Sequence, residues 1–194
     1  MAEVLLFSHV QGLTPGVRAL ADVLRAAGHT VHTPDLLDGA LPGSLEEGIA
    51  ATEALDPEQV RERVDRIAAD LPPGLVYSGI SWGAAHAQRL AQTRPGARGA
   101  VLLEAFVSLT APWSFGPWPA GVPVQVHGME GDPFFAGEGD LDAARELVAD
   151  VGPTAELFVY PGERHLFTDG SLPSSDPGAT ALVLERVLGF LARV

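Results

Sequence analysis

The sequence predicts an α/β protein, a three-layer α/β/α sandwich on a mostly parallel six-stranded sheet. Three observations carry this. Short apolar runs alternate with longer helical patterns, beginning with "EVLLFSH", "PGVRALADVLRAAG" and "HTVHTPD", the rhythm of parallel strands joined by crossover helices. At 194 residues the chain is long enough for one sizeable core and short for two. With 46% hydrophobic and 19% charged residues it has the balance of a folded domain, and no repeat, low-complexity tract or linker interrupts it. A single domain over 1–194 is expected.

The elements follow in chain order. After the first strand, Thr14 caps a helix with Pro15 in its first turn. Val17, Leu20, Val23 and Leu24 share one face of that helix, and Gly28 closes it. Residues 36–56 lack a strong period and are rich in Gly, Pro and small side chains, so they read as a surface excursion bordering a ligand site. A helix over 57–70 follows, with Asp56 as cap and Pro57 first. Next come a strand "GLVYSG", a helix near 83–94, and strands "GAVLLEAF" and "VPVQVHG". A helix around 138–150, a strand "AELFVYP" and a helix near 177–193 complete the chain. The segment 107–121, "VSLTAPWSFGPWPAG", joins two strands through a Pro- and Trp-rich loop with no room for a large helical lid, which implies an open pocket.

Charge and composition narrow the function. Twelve Lys and Arg against 25 Asp and Glu leave a net charge of −13, which disfavours nucleic acid and anionic membranes as partners. The start "MAEVLLFSHV" has no basic segment and only a short apolar run, so neither a secretory signal nor a membrane span is expected, and a cytoplasmic location is the default. With no cysteine, disulfides, thiolate metal sites and a cysteine nucleophile are excluded.

In open parallel sheets ligands gather outside the carboxyl ends of the strands, and there the chain carries "YSGISWGAAH". Gly79 and Gly83 flank Ser81 between an expected strand and an expected helix. A turn sharp enough to raise a side chain above the sheet strains that residue's backbone and leaves no space for neighbouring Cβ atoms, so the glycines are needed. Ser81 is therefore the candidate nucleophile. Its hydroxyl needs a base, and the base needs an acid to hold its tautomer. The chain order for such a turn is serine, acid, histidine. His165, in "YPGERHLFTD", follows the last strand on a loop and is the candidate base. Asp132, in "VHGMEGDPFF", is the candidate acid, with Glu130 two residues away and Glu104 at the preceding strand end as rivals.

"LLFSHVQGLTPGVRALADVLRAAGHTVHTPDLLDG", "YSGISWG", "HGMEGDPF" and "YPGERHLFTD", taken together and in this order, resemble the dienelactone hydrolase family of α/β-hydrolases over nearly the whole chain. The resemblance implies a minimal α/β-hydrolase fold and an oxyanion hole made by the backbone N–H groups of Val10 and Trp82. Three positions depart from the family pattern. Ser81 stands where the founding enzymes have cysteine, so the chain looks like the serine members. His9 stands where they carry a glutamate that contacts the resting nucleophile. A histidine cannot be that anion, so His9 is read either as a pocket residue donating to substrate or as a strand-end histidine bonded to backbone. Asp169 stands where an arginine grips a substrate carboxylate. At the mouth of a pocket it would reverse the preference among charged ligands, pointing to a neutral or cationic ester.

Trp113, Phe115, Trp118, Phe134 and Phe135 lie on loops above the strand ends, where they would either wall an acyl pocket, with Trp82, or tether the loops by packing. The expectation is a serine hydrolase of a small-molecule carboxylic ester or lactone that requires no metal and no organic cofactor. Thioesterase or peptidase chemistry on the same residues, and a non-catalytic ligand-binding protein, are the alternatives. The sequence carries no signal for the oligomeric state.

Overall fold

Six strands form one sheet: β1 (Glu3–Phe7), β2 (Thr30–His32), β3 (Val76–Ile80), β4 (Gly99–Leu103), β5 (Val124–Met129) and β6 (Ala155–Tyr160). The computed structural model describes residues 1–194. The strand order is β2-β1-β3-β4-β5-β6, and every neighbouring pair is parallel. All carboxyl ends therefore lie along one edge, and β3 and β4 sit at the centre of the sheet.

Side chains alternate between two cores because successive residues of a strand face opposite sides. Leu5, Phe7, Tyr77 and Leu102 point into one core, completed by Val64 and Ala68 of α3 (Pro57–Ala69), Ala87 and Leu90 of α4 (Trp82–Thr93), and Leu141 and Leu147 of α5 (Asp140–Val151). Val4, Leu6, Val76 and Val101 point into the other, completed by Val17, Leu20 and Leu24 of α1 (Pro15–Ala26) and Val183, Val187 and Phe190 of α6 (Pro177–Leu191). These are the two helical layers. Thr14 caps α1 by accepting from Val17 N–H, and Asp56 caps α3 by accepting from Glu58 N–H, as their positions in the sequence predict. No helix is long and apolar enough to cross a membrane.

The 36–56 excursion corrects the sequence reading, because it contains a helix, α2 (Leu45–Glu53). Ser44 accepts from Glu47 N–H, and the Glu47 carboxylate accepts from Gly43 N–H, so local capping starts the helix. Only Gly48 is buried in it, so no apolar stripe marked it as helical. The strand expected over 99–106 also ends early. Glu104 has φ +64°, a left-handed conformation that turns the chain out of the sheet.

Candidate active site

Ser81 sits between β3 and α4 with φ +52° and ψ −118°. Sterics force that geometry on a non-glycine residue only when its surroundings hold it there. A Cβ on Gly79 would meet the Gly83 carbonyl, and one on Gly83 would lie 2.6 Å from the Phe7 carbonyl oxygen. Both neighbours must therefore be glycine for β3, β1 and α4 to close around the serine. The Ser81 N–H donates to Leu103 O at 2.7 Å, which ties the turn to the end of β4.

Two hydrogen bonds lead away from the serine. Ser81 Oγ lies 2.8 Å from His165 Nε2, and His165 Nδ1 lies 2.7 Å from Asp132 Oδ2. The second contact assigns the proton to Nδ1, since an ionised carboxylate only accepts, and leaves Nε2 free to accept from the hydroxyl. Asp132 is fully buried, and its other oxygen accepts from Phe134 N–H at 2.8 Å and Phe135 N–H at 3.3 Å. The carboxylate is thus fixed by its own turn. The Phe134 ring lies 4.5 Å from the imidazole, centre to centre, and covers one side of it. Glu130, the nearer rival for the acid, is exposed.

Trp82 supplies the first amide of α4, one of those a helix leaves without an internal acceptor. Val10 lies in the loop after β1, and its N–H has no acceptor among the loop hydrogen bonds. The Val10 carbonyl oxygen packs against Gly48, at 2.8 Å from where a Cβ would stand, so α2 backs this loop. The Trp82 ring meets the His86 ring edge-on at 4.7 Å. Burial, aided by the charge of Arg89, lowers the His86 pKa to about 4.

Three residues expected to touch substrate are placed otherwise. His9 is fully buried with both ring nitrogens engaged: Nδ1 accepts from Gln11 N–H at 3.2 Å and Nε2 donates to Asp169 at 2.8 Å. It has no donor left for a ligand. Asp169 is not at the mouth of a pocket but inside the protein, where it accepts from His9, from the hydroxyl of Thr14, and from Ser171 N–H and Oγ–H at 2.8 and 2.6 Å. Burial acts to raise its pKa, but the bonds from His9, Ser171 and Thr14 overcome this and bring it down to about 2. Its charge is consumed by structure, so it does not choose among charged substrates. Trp113 is 73% exposed and walls no pocket. Trp118 and Phe135 belong to the core, the packing alternative for the loop aromatics, and Trp118 Nε1–H donates to Val122 O.

A cleft of about 280 Å³ reaches His165. Gln11, Ser44 and Ser174 supply its polar side chains and Leu45, Leu172 and Pro173 its apolar wall, and no ionised side chain other than a protonated His165 would line it. A larger cavity of about 510 Å³ lies between residues 36–40, α2 and α3, and none of Ser81, Asp132 and His165 lines it. Glu104, Asp132 and His165 bring potential metal-ligand atoms within 4.8 Å of one another. All three are committed to the hydrogen bonds around the site, so an ion bound among them would displace the contact between His165 and Asp132.

Residues 2–194 match the model of the dienelactone hydrolase family. None of the curated proteins matches the chain in sequence. Among solved structures, a candidate dienelactone hydrolase from Klebsiella pneumoniae subsp. pneumoniae MGH 78578 superposes with a TM-score of 0.77 at 19% identity, over 100% of this chain and 88% of that one. A dienelactone hydrolase-like promiscuous phosphotriesterase from metagenomic libraries gives 0.74 at 18% identity, over 100% and 86%. A thermophilic esterase from the Planctomycetes species Thermogutta terrifontis, with propionate bound, gives 0.65 at 17% identity, over 99% and 83%. At these identities the likeness is one of fold.

Proposed function

The chain belongs to the dienelactone hydrolase family, and from that premise we propose that it is a serine hydrolase cleaving a small, neutral carboxylic ester or lactone through an acyl-enzyme. The observation that carries this reading is the unbroken relay from Ser81 through His165 to Asp132, with contacts of 2.8 and 2.7 Å, set on a serine held at positive φ.

In the first half-reaction Ser81 Oγ bonds to the substrate carbonyl carbon while its proton passes to His165 Nε2. The carbonyl electron pair moves onto oxygen, where the N–H groups of Val10 and Trp82 receive the developing charge. The intermediate collapses, the bond to the alcohol oxygen breaks, and the proton on Nε2 leaves with the alcohol. Water then repeats the sequence on the acyl-enzyme, releasing the acid and restoring the serine hydroxyl. Asp132 stays ionised throughout and stabilises the imidazolium.

The substrate class follows from the cleft beside His165. Its lining offers no cation to pair with an anionic substrate and no anion to attract a cationic one, and its volume suits a short acyl or alkyl group. Neutral esters with short chains are the expected substrates, while cationic esters lose the support that an exposed Asp169 would have lent them.

Hydrolysis of p-nitrophenyl esters from acetyl to octanoyl, beside an anionic lactone, tests the reading. Wild type is expected to turn over the short neutral esters, and Ser81→Ala to lose at least about 10⁴-fold in kcat. Failure of a serine-directed covalent probe to label wild type, together with no turnover of any ester, would favour a ligand-binding protein. A preference for the anionic lactone would refute the neutral-substrate assignment.

A further inference from the structure

Glu104 directly follows β4 at the centre of the sheet and is fully buried. All three hydrogen bonds to its carboxylate come from the segment just after His165: Phe167 N–H at 3.1 Å, Thr168 N–H at 3.2 Å and Thr168 Oγ–H at 2.6 Å. It receives every one of them, as an ionised carboxylate does. No arginine or lysine pairs with it, although a buried anion without a cation is costly. One of its oxygens lies within 4.8 Å of an imidazole nitrogen of His165 and of an Asp132 oxygen. Both ends of this clamp are non-glycine residues in the left-handed region, with φ +64° at Glu104 and +60° at Leu166. Strain of that kind persists only where surrounding contacts enforce it.

We propose that Glu104 is a positioning residue of the relay, an anion that holds the His165 loop in place and stabilises the imidazolium formed when His165 accepts a proton. Its part in turnover rests on the serine hydrolase reading above, whereas its coupling to His165 does not. The arrangement divides labour between two acids. Asp132 bonds directly to Nδ1 and sets the tautomer, while Glu104 fixes the backbone that carries the ring and adds a second negative charge behind it. Burial raises the Glu104 pKa above the ordinary carboxylate value, an effect that the neighbouring His165 and the bonds from Thr168 offset only in part and to which the charge of Asp132 adds. The other acid facing His165 is Asp140, at the start of α5, whose pKa burial raises to about 6 despite its bond from Phe106 N–H. Imidazolium at His165 is thus faced by Asp132, Glu104 and Asp140.

The test compares Glu104→Gln, which keeps the shape and loses the charge, with Thr168→Val, which keeps the charge and loses one bond. The His165 titration followed by NMR in the intact protein reads the coupling without any turnover. In Glu104→Gln its pKa is expected to fall by about one unit, since an opposite charge at this distance favours the protonated ring by that much or more. The acid limb of the kcat/KM profile should move to lower pH by the same amount, with kcat down roughly tenfold. Thr168→Val should lower the melting temperature and leave both the titration and the acid limb in place. An unchanged His165 pKa in a folded Glu104→Gln protein, or the same shift in Thr168→Val, would overturn the assignment. The serine hydrolase reading fails by a different result, retention of turnover in Ser81→Ala.

Discussion

At the residue scale, two aspartates that the sequence sets at the ligand edge of the sheet are used in opposite ways. Asp132 spends one oxygen on its own turn and turns the other toward His165, where it can act in chemistry. Asp169 spends both oxygens on His9, Thr14 and Ser171 and is structural. Removing it as Asp169→Ala would leave His9 Nε2–H and the Thr14 hydroxyl buried without an acceptor, at a cost on the order of 3 kcal/mol measurable by denaturant unfolding. The pH dependence has a definite sign. A folded pKa of about 2 below the ordinary 3.8 means that the ionised group stabilises the fold fully above pH ~4, and that this contribution is lost as the pH falls toward about 2. It amounts to about 2 kcal/mol, and Asp169→Asn should abolish that part of the acid slope of the unfolding free energy. The sequence brought Ser81, Asp132 and His165 to notice because a glycine-flanked turn and chain order are local signals. The burial of Asp169 left no such mark, since His9 and Thr14, which hold one of its oxygens, stand 160 and 155 positions away in the chain.

At the element scale, α2 couples the excursion to the site. Gly48 lets this helix lie directly on the Val10 carbonyl, and a methyl group there would begin at 2.8 Å from that oxygen. Gly48→Ala should therefore push the loop after β1 while leaving α2 intact, since alanine is the better helix former. Displacing an oxyanion donor by a fraction of an ångström to an ångström is expected to lower kcat roughly 10- to 100-fold, and because the clash is with backbone the melting temperature should fall as well. Steady-state kinetics on p-nitrophenyl acetate reads this directly, and unchanged kcat would separate α2 from the Val10 amide. The helix α1 was legible because cap, proline and apolar stripe coincide in it, and α3 because a cap and a proline open it. The helix α2 was not, because its stabilisation is a cap and one glycine contact rather than a buried stripe.

At the scale of the whole molecule, a net charge of −13 surrounds a cleft lined by no acidic, arginine or lysine side chain. Selection by charge then acts at approach rather than by contact. For an anionic lactone kcat/KM should rise as salt increases from about 0.01 to about 1 M, over which the screening length falls from about 30 to about 3 Å, while a neutral ester shows a flat dependence. A rising slope for the neutral ester would contradict this. The sequence by itself determined the layer architecture, the six strands and the glycine-flanked serine, because apolar periodicity, capping residues and the steric needs of a sharp turn are written within a dozen neighbouring residues. Only the tertiary structure decided what His9, Glu104 and Asp169 do. Each lies at a strand end or in the loop after His165, where the sequence offers a charge or a ring to the ligand edge of the sheet. Whether it faces substrate or neighbouring protein depends on donors brought in by distant segments, and on the cost of burying a polar group without them.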